Sequence, residues 1–235
     1  MAALRPSGVA ALVLAAGQGE RLGHALPKGF VPLAGQTLVE RSIHALSDSG
    51  IFSLIQPVLA AAEFERFDAL GIDAEGLVPR VAGGKERQDS MRAGLSALPA
   101  DIEFVAVHDA ARCLVSAPDL RAVVAAARES GAALLGERAR DTIKRVAEGR
   151  VIETPDRSSL WAAQTPQVIR RDWLEAAMEN ALQEGRRGTD DAQLVEWLGH
   201  PVVMVEATRP NPKITRPEDL LLAEAILKSA TNGET

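Results

Sequence analysis

The chain is 235 residues long, a length at which α/β folds are routinely single units. Hydrophobic residues make up 46 % and charged residues 25 %, with mean hydropathy near zero, which excludes a disordered, collagenous or coiled-coil chain. Thirty-two acidic against twenty-six basic side chains give −6, a balance that argues against non-specific nucleic-acid binding, which needs a basic footprint, and leaves room for a local basic pocket.

With Cys113 as the one cysteine, no intrachain disulfide or thiolate metal cluster is possible, and a reducing cytoplasm fits. Val9–Ala16 is apolar but too short to span a bilayer, and it lacks a cleavage-type flank, so no membrane partner is expected. Aromatic residues are 3 % and tyrosine is absent, which leaves Ala, Val, Leu and Ile to pack the core.

Val9–Leu14 is a continuous apolar run ending at a Gly-containing turn, as expected for a strand buried on both faces. Thr37–Ser47 carries Val39, Ile43 and Leu46 on one helical stripe. Ile51–Ala60 reads as a second strand, with Pro57 predicting an edge or a bulge. Phe104–Val107 is another short buried run, ending at His108-Asp109. Helices are predicted over Pro118–Glu129, Trp173–Leu182 and Pro217–Leu227, the last with proline at its first position and acids behind it. Val202–Glu206 reads as a strand, and Ser229–Thr235 as a frayed end. Strands separated by helices imply parallel βαβ units and a three-layer, Rossmann-like α/β architecture with a mostly parallel sheet.

Glu137–Arg157 breaks the alternation. Thr142-Ile143-Lys144 and Arg150-Val151-Ile152 flank a Glu148-Gly149 turn and predict a polar β-hairpin without a core of its own. Such a hairpin packs on something else, and a second subunit is the natural candidate. A solvated ribbon that discourages aggregation is the plainer reading. No repeat or linker divides residues 1–235, so a single domain carrying this arm is expected.

The strongest local signal is the loop Leu14–Gly23, containing Ala15, Ala16, Gly17, Gly19 and Arg21, followed by Pro27-Lys28. Small residues there let backbone N–H groups approach a ligand. The spacing fits neither a dinucleotide fingerprint nor a Walker A motif. Arg21 and Lys28 could neutralise a triphosphate and stabilise charge on a phosphorus under attack; a strand-to-helix turn with solvated charges is the bland alternative. Gly83-Gly84-Lys85-Glu86-Arg87-Gln88-Asp89-Ser90 could read a base or simply turn and cap a helix. Asp109 sits at the carboxyl end of a buried strand, where open parallel sheets bind ligands, although a capping or turn aspartate is also open. Thr189 could be a helix N-cap before Asp190-Asp191 or a ligand contact. The four histidines form no metal motif and there is no nucleophile elbow, so His108 is read as a structural neighbour of Asp109.

The Gly-rich loop resembles the signature of nucleotidyltransferases that join a sugar or alditol phosphate to a nucleoside triphosphate. With Gly83–Ser90, His108-Asp109-Ala110-Ala111-Arg112, Trp161–Gln167 and Lys213–Asp219 it resembles, over nearly the whole chain, the 2-C-methyl-D-erythritol 4-phosphate cytidylyltransferases of the non-mevalonate isoprenoid pathway. The resemblance implies that Ala15, Ala16, Gly17, Gly19, Gly84, Lys85, Ser90 and Asp109 hold CTP. It implies Arg21, Lys28 and Lys213 as catalytic cations, and Asp109, Arg112, Thr142, Arg157, Thr165, Thr189 and Lys213 around methylerythritol phosphate. Thr142 and Arg157 would reach across a homodimer, and Mg2+ would be held mainly by the CTP phosphates. Lys85 stands where family members often carry Asp, and Cys113 where they usually carry Pro, read as a local packing change. A cytidylyltransferase for another alditol phosphate, such as ribitol 5-phosphate, is the nearest rival, and a nucleotide-binding regulator on the same fold is a more distant one.

Overall fold

The computed structural model describes residues 8–17 and 19–232. The first strand, β1 (Val9–Leu14), lies at the centre, and its side chains divide between two cores. Val9, Ala11 and Val13 face one side and Ala10 and Leu12 the other, as the two-residue period of a strand requires. A short hairpin, β2 (Pro32–Leu33) and β3 (Gln36–Thr37), leads into α1 (Leu38–Asp48). Thr37 caps that helix: its hydroxyl accepts from the Glu40 N–H at 3.3 Å, and the Glu40 carboxylate accepts from the Thr37 N–H at 2.7 Å. The chain continues through β4 (Leu54–Leu59), α2 (Phe64–Asp68), β5 (Val81–Ala82), α3 (Arg87–Ala97), β6 (Phe104–Asp109), α4 (Ala117–Ser130) and β7 (Ala132–Arg138). Then come β8 (Arg145–Ala147), β9 (Arg150–Glu153), β10 (Trp161–Arg170), α5 (Arg171–Gln183), α6 (Asp191–Glu196), β11 (Val203–Glu206) and α7 (Pro217–Asn232).

Seven strands form one sheet in the order β11-β7-β10-β6-β1-β4-β5. Only β10 runs antiparallel to its neighbours, so the expectation of a mostly parallel, three-layer α/β sheet holds. Helices α1 and α4 cover one face, and α3, α5 and α6 the other.

Several boundaries differ from the sequence reading. β4 is not an edge strand, because β5 lies outside it. Pro57 is tolerated for a local reason. The Ile55 N–H and C=O both turn away from β1, bonding Gly76 and Val78, and Pro57, two residues on, turns the same way. The partner strand on that side pairs only Val58 and Leu59, so no ladder donor is missing there. β6 extends through His108 and Asp109. β7 and β10 were not predicted as strands, and their antiparallel pair is the stem from which the arm grows. In the arm, the first strand is Arg145–Ala147 and not Thr142–Lys144; Glu148 and Gly149 both take positive φ, at 49° and 76°, in the turn. α7 runs to Asn232, and the rest of the predicted frayed end lies outside the described residues, as does Gln18 of the Gly-rich loop.

A third, smaller apolar cluster lies off the sheet and gathers Leu22, Val31, Leu33, Leu38, Cys113, Ile214 and Ala223. It joins the Gly-rich segment, the turn after β6 and the approach to α7 through buried side chains that are distant in sequence. The Ile214 N–H also donates to the Ala111 carbonyl at 2.9 Å. Ile214→Ala should cost about 2–5 kcal/mol, the usual range for emptying a buried aliphatic site. Chemical denaturation, read as a midpoint shift at unchanged slope, measures it.

Candidate active site

The parallel strands β1 and β6 end side by side, and their ladders run on into the loops: Ala110 N–H donates to the Leu14 carbonyl at 3.1 Å, and Ala15 N–H to the Val58 carbonyl at 2.8 Å. A cleft opens at this edge, as open parallel sheets generally provide. It has three adjoining parts. The central one, about 140 Å³, is walled by Ala15, Gly17, Lys28, Arg87, Asp109 and Lys213. On one side a pocket of about 110 Å³ is lined by Ala16, Gly17, Gly84, Lys85, Arg87 and Ser90. On the other, a pocket of about 240 Å³ is lined by Asp109, Arg112, Thr165, Thr189, Asp190 and Lys213, among others. Residues predicted from five separated segments therefore converge.

Glycine at two positions serves this geometry. Gly19 has φ +73°, and a Cβ there would overlap the Cβ of Lys28, so the loop closes directly over the lysine's stem. At Gly83 a Cβ would come within 2.7 Å of the Ser90 hydroxyl oxygen and 2.8 Å of the Ala16 Cβ, the approach that narrows the small pocket. Ser90 is buried and turns inward; its hydroxyl accepts from the Gly84 N–H at 3.2 Å and donates to the Glu86 carbonyl at 3.2 Å. Ser90 thus fixes the loop from the first turn of α3 and does not cap the helix, whose N-cap is Glu86.

Asp109 is the electrostatic centre. One carboxylate oxygen accepts from Arg87 Nε at 3.1 Å and the other from Lys213 Nζ at 2.5 Å. Burial alone would raise its pKa, but the two cations overrule it and hold the carboxyl well below the usual range. Lys28 stands nearby with its ammonium pulled down to about 8, first by burial and then by the charge of Lys213, with Arg21 adding to it and Asp109 opposing. Arg21 itself is exposed on the 3-10 turn Glu20–Leu22 and lines none of the three pockets; it acts on the centre through its charge. His108 is fully buried, its Nδ1 3.2 Å from the Thr165 hydroxyl, and burial drives its pKa to about 4, which keeps it neutral.

The third pocket is built around Thr165 and Arg112. The Thr165 hydroxyl accepts from the Asp109 N–H at 3.1 Å, and Asn211 Nδ2 donates to the Thr165 carbonyl at 3.1 Å. Arg112 donates to the carbonyls of Asn211, at 2.8 Å, and Ala163, at 3.2 Å. Thr189 lines the pocket, but it is not the cap of α6; Asp190 is, accepting from the Gln193 N–H at 2.9 Å. Cys113, beside Arg112, is packed in the third apolar cluster, and burial raises its thiol to about 11.

Thr142 and Arg157 lie apart from this assembly. Both are exposed on the arm and line none of the three pockets; Arg157 donates to the Arg140 carbonyl at 3.1 Å. Conversely, the sequence reading gave no role to Arg87, which borders all three pockets, or to Asp191, which it grips bidentately at 2.7 and 2.8 Å.

The sequence profile of the 2-C-methyl-D-erythritol 4-phosphate cytidylyltransferases matches residues 9–229. The chain belongs to this family. A 2-C-methyl-D-erythritol 4-phosphate cytidylyltransferase of Geobacillus kaustophilus is 44 % identical over 93 % of this chain and 96 % of the relative. One of Syntrophotalea carbinolica is 43 % identical over 92 % and 94 %. Among solved structures, the cytidylyltransferase of Thermus thermophilus superposes with a TM-score of 0.76 at 33 % identity, covering 94 % of this chain and 99 % of that one. The 4-diphosphocytidyl-2C-methyl-D-erythritol synthase of Anaerococcus prevotii gives 0.84 at 27 %, covering 94 % and 96 %. Nucleotidyl transfer suits the cleft, whose cations face a space between two differently lined pockets. No helix among the described residues is long and apolar enough to cross a membrane.

Two outcomes follow from this geometry. Gly19→Ala should lower turnover far more than stability, because the added methyl displaces the Lys28 stem; steady-state kinetics beside thermal unfolding separates the two. Lys28 is charged below its pKa of about 8, so kcat/KM should fall as pH rises through that value, with the kcat limb displaced upward once a polyanion is bound. For stability the sign is opposite: between about 8 and 10.5 the unfolded chain binds the extra proton, so the cost of a charged Lys28 is relieved as pH rises. A pH–rate profile in which Lys28→Arg loses the limb near 8 checks the assignment.

Proposed function

We propose that the cleft transfers CMP from CTP to 2-C-methyl-D-erythritol 4-phosphate, releasing pyrophosphate and giving 4-diphosphocytidyl-2-C-methyl-D-erythritol. The observation that carries the reading is the convergence of Lys28 and Lys213 on Asp109 between the two flanking pockets. CTP occupies the side of Gly84, Lys85 and Ser90, with Ala15, Ala16 and Gly17 opposite. The acceptor occupies the side of Arg112, Thr165 and Thr189, and Asp109 stands between the two.

An oxygen of the acceptor phosphate attacks the α-phosphorus; the new O–P bond forms as the bond to the bridging oxygen breaks, and its electron pair leaves on pyrophosphate. A phosphate monoester is already anionic, so no general base is needed, and the neutral His108 has no proton to take. The work left to the chain is to bring two polyanions together and to stabilise added charge at phosphorus, which Arg21 and Lys28 do, with Lys213 positioning the acceptor phosphate. Among the described residues no group of three or more His, Cys, Asp or Glu side chains could hold a metal ion, and Asp109 is already engaged by two cations. We assign Mg2+ to the phosphates of CTP, and no step here depends on it.

The arm supplies the rest. Ile143, Val146, Val151 and Ile152 are exposed on it, at 42–60 %. Seated on a second subunit, these side chains would leave water and carry Thr142 and Arg157 to the partner's acceptor phosphate, where a guanidinium makes the paired contacts a lysine cannot. The chain then acts in the cytoplasm as a homodimer of one cytidylyltransferase domain per subunit.

Pyrophosphate release from CTP with methylerythritol phosphate, with ribitol 5-phosphate and with no acceptor tests the reaction; turnover confined to the first supports it. Lys28→Ala should lower kcat about 100- to 1,000-fold while CTP affinity changes much less. Mixing the inactive Lys28→Ala and Arg157→Ala chains should restore about a quarter of wild-type turnover, since half the dimers are mixed and each has one intact site. No recovery on mixing would place Arg157 at its own subunit's site.

A further inference from the structure

Among the described residues, Arg87 alone borders all three parts of the cleft. It opens α3, immediately after the loop that forms the small pocket. Its three donors are divided between two segments: Nη1 and Nη2 go to Asp191 at 2.7 and 2.8 Å, and Nε goes to Asp109 at 3.1 Å. Asp191 is 1 % exposed and lines none of the pockets. Its backbone is pinned in turn, because Gln167 Oε1 on β10 accepts from the N–H groups of Asp191 and Ala192, at 3.0 and 2.8 Å. The same glutamine donates to Asp190 at 3.0 Å, next to Thr189. One guanidinium thus links the nucleotide-side loop, the carboxylate at the end of β6 and the loop that carries Thr189.

We propose that Arg87 is a positioning residue that sets the two substrate pockets at their working separation, acting through Asp191 and Asp109. The planar fork is what the task requires. A lysine keeps the charge, but a single ammonium cannot grip both oxygens of Asp191 and hold Asp109 from a fixed direction. Released from Arg87, Asp109 keeps Lys213 as its one strong partner and follows it, while the Thr189 loop is freed from α3. In-line attack tolerates little of this, since a displacement near 1 Å can cost about 100-fold in rate.

The inference rests on the assignment of nucleotide and acceptor sides above. Arg87→Lys should lower kcat/KM about 100-fold for both CTP and the acceptor. Asp191→Asn should do the same although Asp191 reaches neither pocket, and the double variant should be no worse than the poorer single one, as expected for residues acting as a unit. Thr189→Ala, the control, should raise KM for the acceptor alone. Additive losses, a kinetically silent Asp191→Asn, or a loss confined to one substrate would overturn the proposal. Should the single variants fail to fold, Arg87→Gln combined with Asp191→Asn removes both buried charges together. Calorimetry on that chain should find CTP bound about 100-fold more weakly, and unchanged affinity would count against it. If the wild-type chain releases no pyrophosphate, the reaction assignment fails; CTP affinity across the same variants still decides whether Arg87 and Asp191 act together.

Discussion

The site depends on holding like charges close together in a partly buried place. Lys28, Lys213 and Arg87 crowd one small cavity, and the pKa of Lys28 is lowered first by its burial and then by the charge of Lys213. Two devices make it tolerable. Asp109 takes a cation on each oxygen and so draws Arg87 and Lys213 inward. The second device is apolar. Leu22, Cys113 and Ile214 follow Arg21, Arg112 and Lys213 directly in sequence, and Val31 follows Lys28 by one 3-10 turn; all four are buried in one cluster. Each cation is tethered by a neighbour whose removal from water is favourable, so burial of hydrocarbon offsets the repulsion that would scatter the charges.

The sheet decides where those tethers meet. β1 and β6 are parallel neighbours whose ends deliver Ala15 and Asp109 to the same edge. β10 runs the other way, paired antiparallel to β6, so its entering half brings Gln164, Thr165 and Gln167 to the third pocket while Ile169 continues into the core. A third parallel strand in its place would need a crossover helix and would present its other end. The single reversed strand therefore supplies part of the wall of the third pocket, and its pairing with β7 provides the stem of the arm.

Much of the fold was legible because its elements obey simple periods. β1, α1, α4, α5 and α7 were placed within a few residues, since a run buried on both faces or a stripe at helical spacing leaves a plain mark. β7 and β10 were not. Leu134 and Leu135 sit between small residues in the first, and the second contains Pro166 and two buried polar residues, Gln164 and Gln167, the latter bonded to the loop around Asp191. In the site, Gly17, Lys28, Gly84 and Asp109 stood out in local motifs, Thr165 and Lys213 were named through the family resemblance, and all six line the cleft. Arg87 was within view, inside a quoted motif, but its partner Asp191 is 104 residues away. No local pattern announces a pair at that separation. The same holds for Asn211, whose bond to Thr165 spans 46 residues.

The overall charge of −6 argues against non-specific nucleic-acid binding, yet the pockets carry the opposite sign. Lys28, Lys85, Arg87, Arg112 and Lys213 line them, against Glu86, Asp109 and Asp190. Five cations against three acids line the pockets, so the cleft carries a positive surplus that the chain as a whole does not. A local surplus of that sign draws compact anionic ligands into a cleft. It also explains why the charges inside are not all paired. Full neutralisation by carboxylates would relax Lys28 toward an ordinary lysine, and it would leave no uncompensated charge for the phosphorus as it gains negative charge in the transition state.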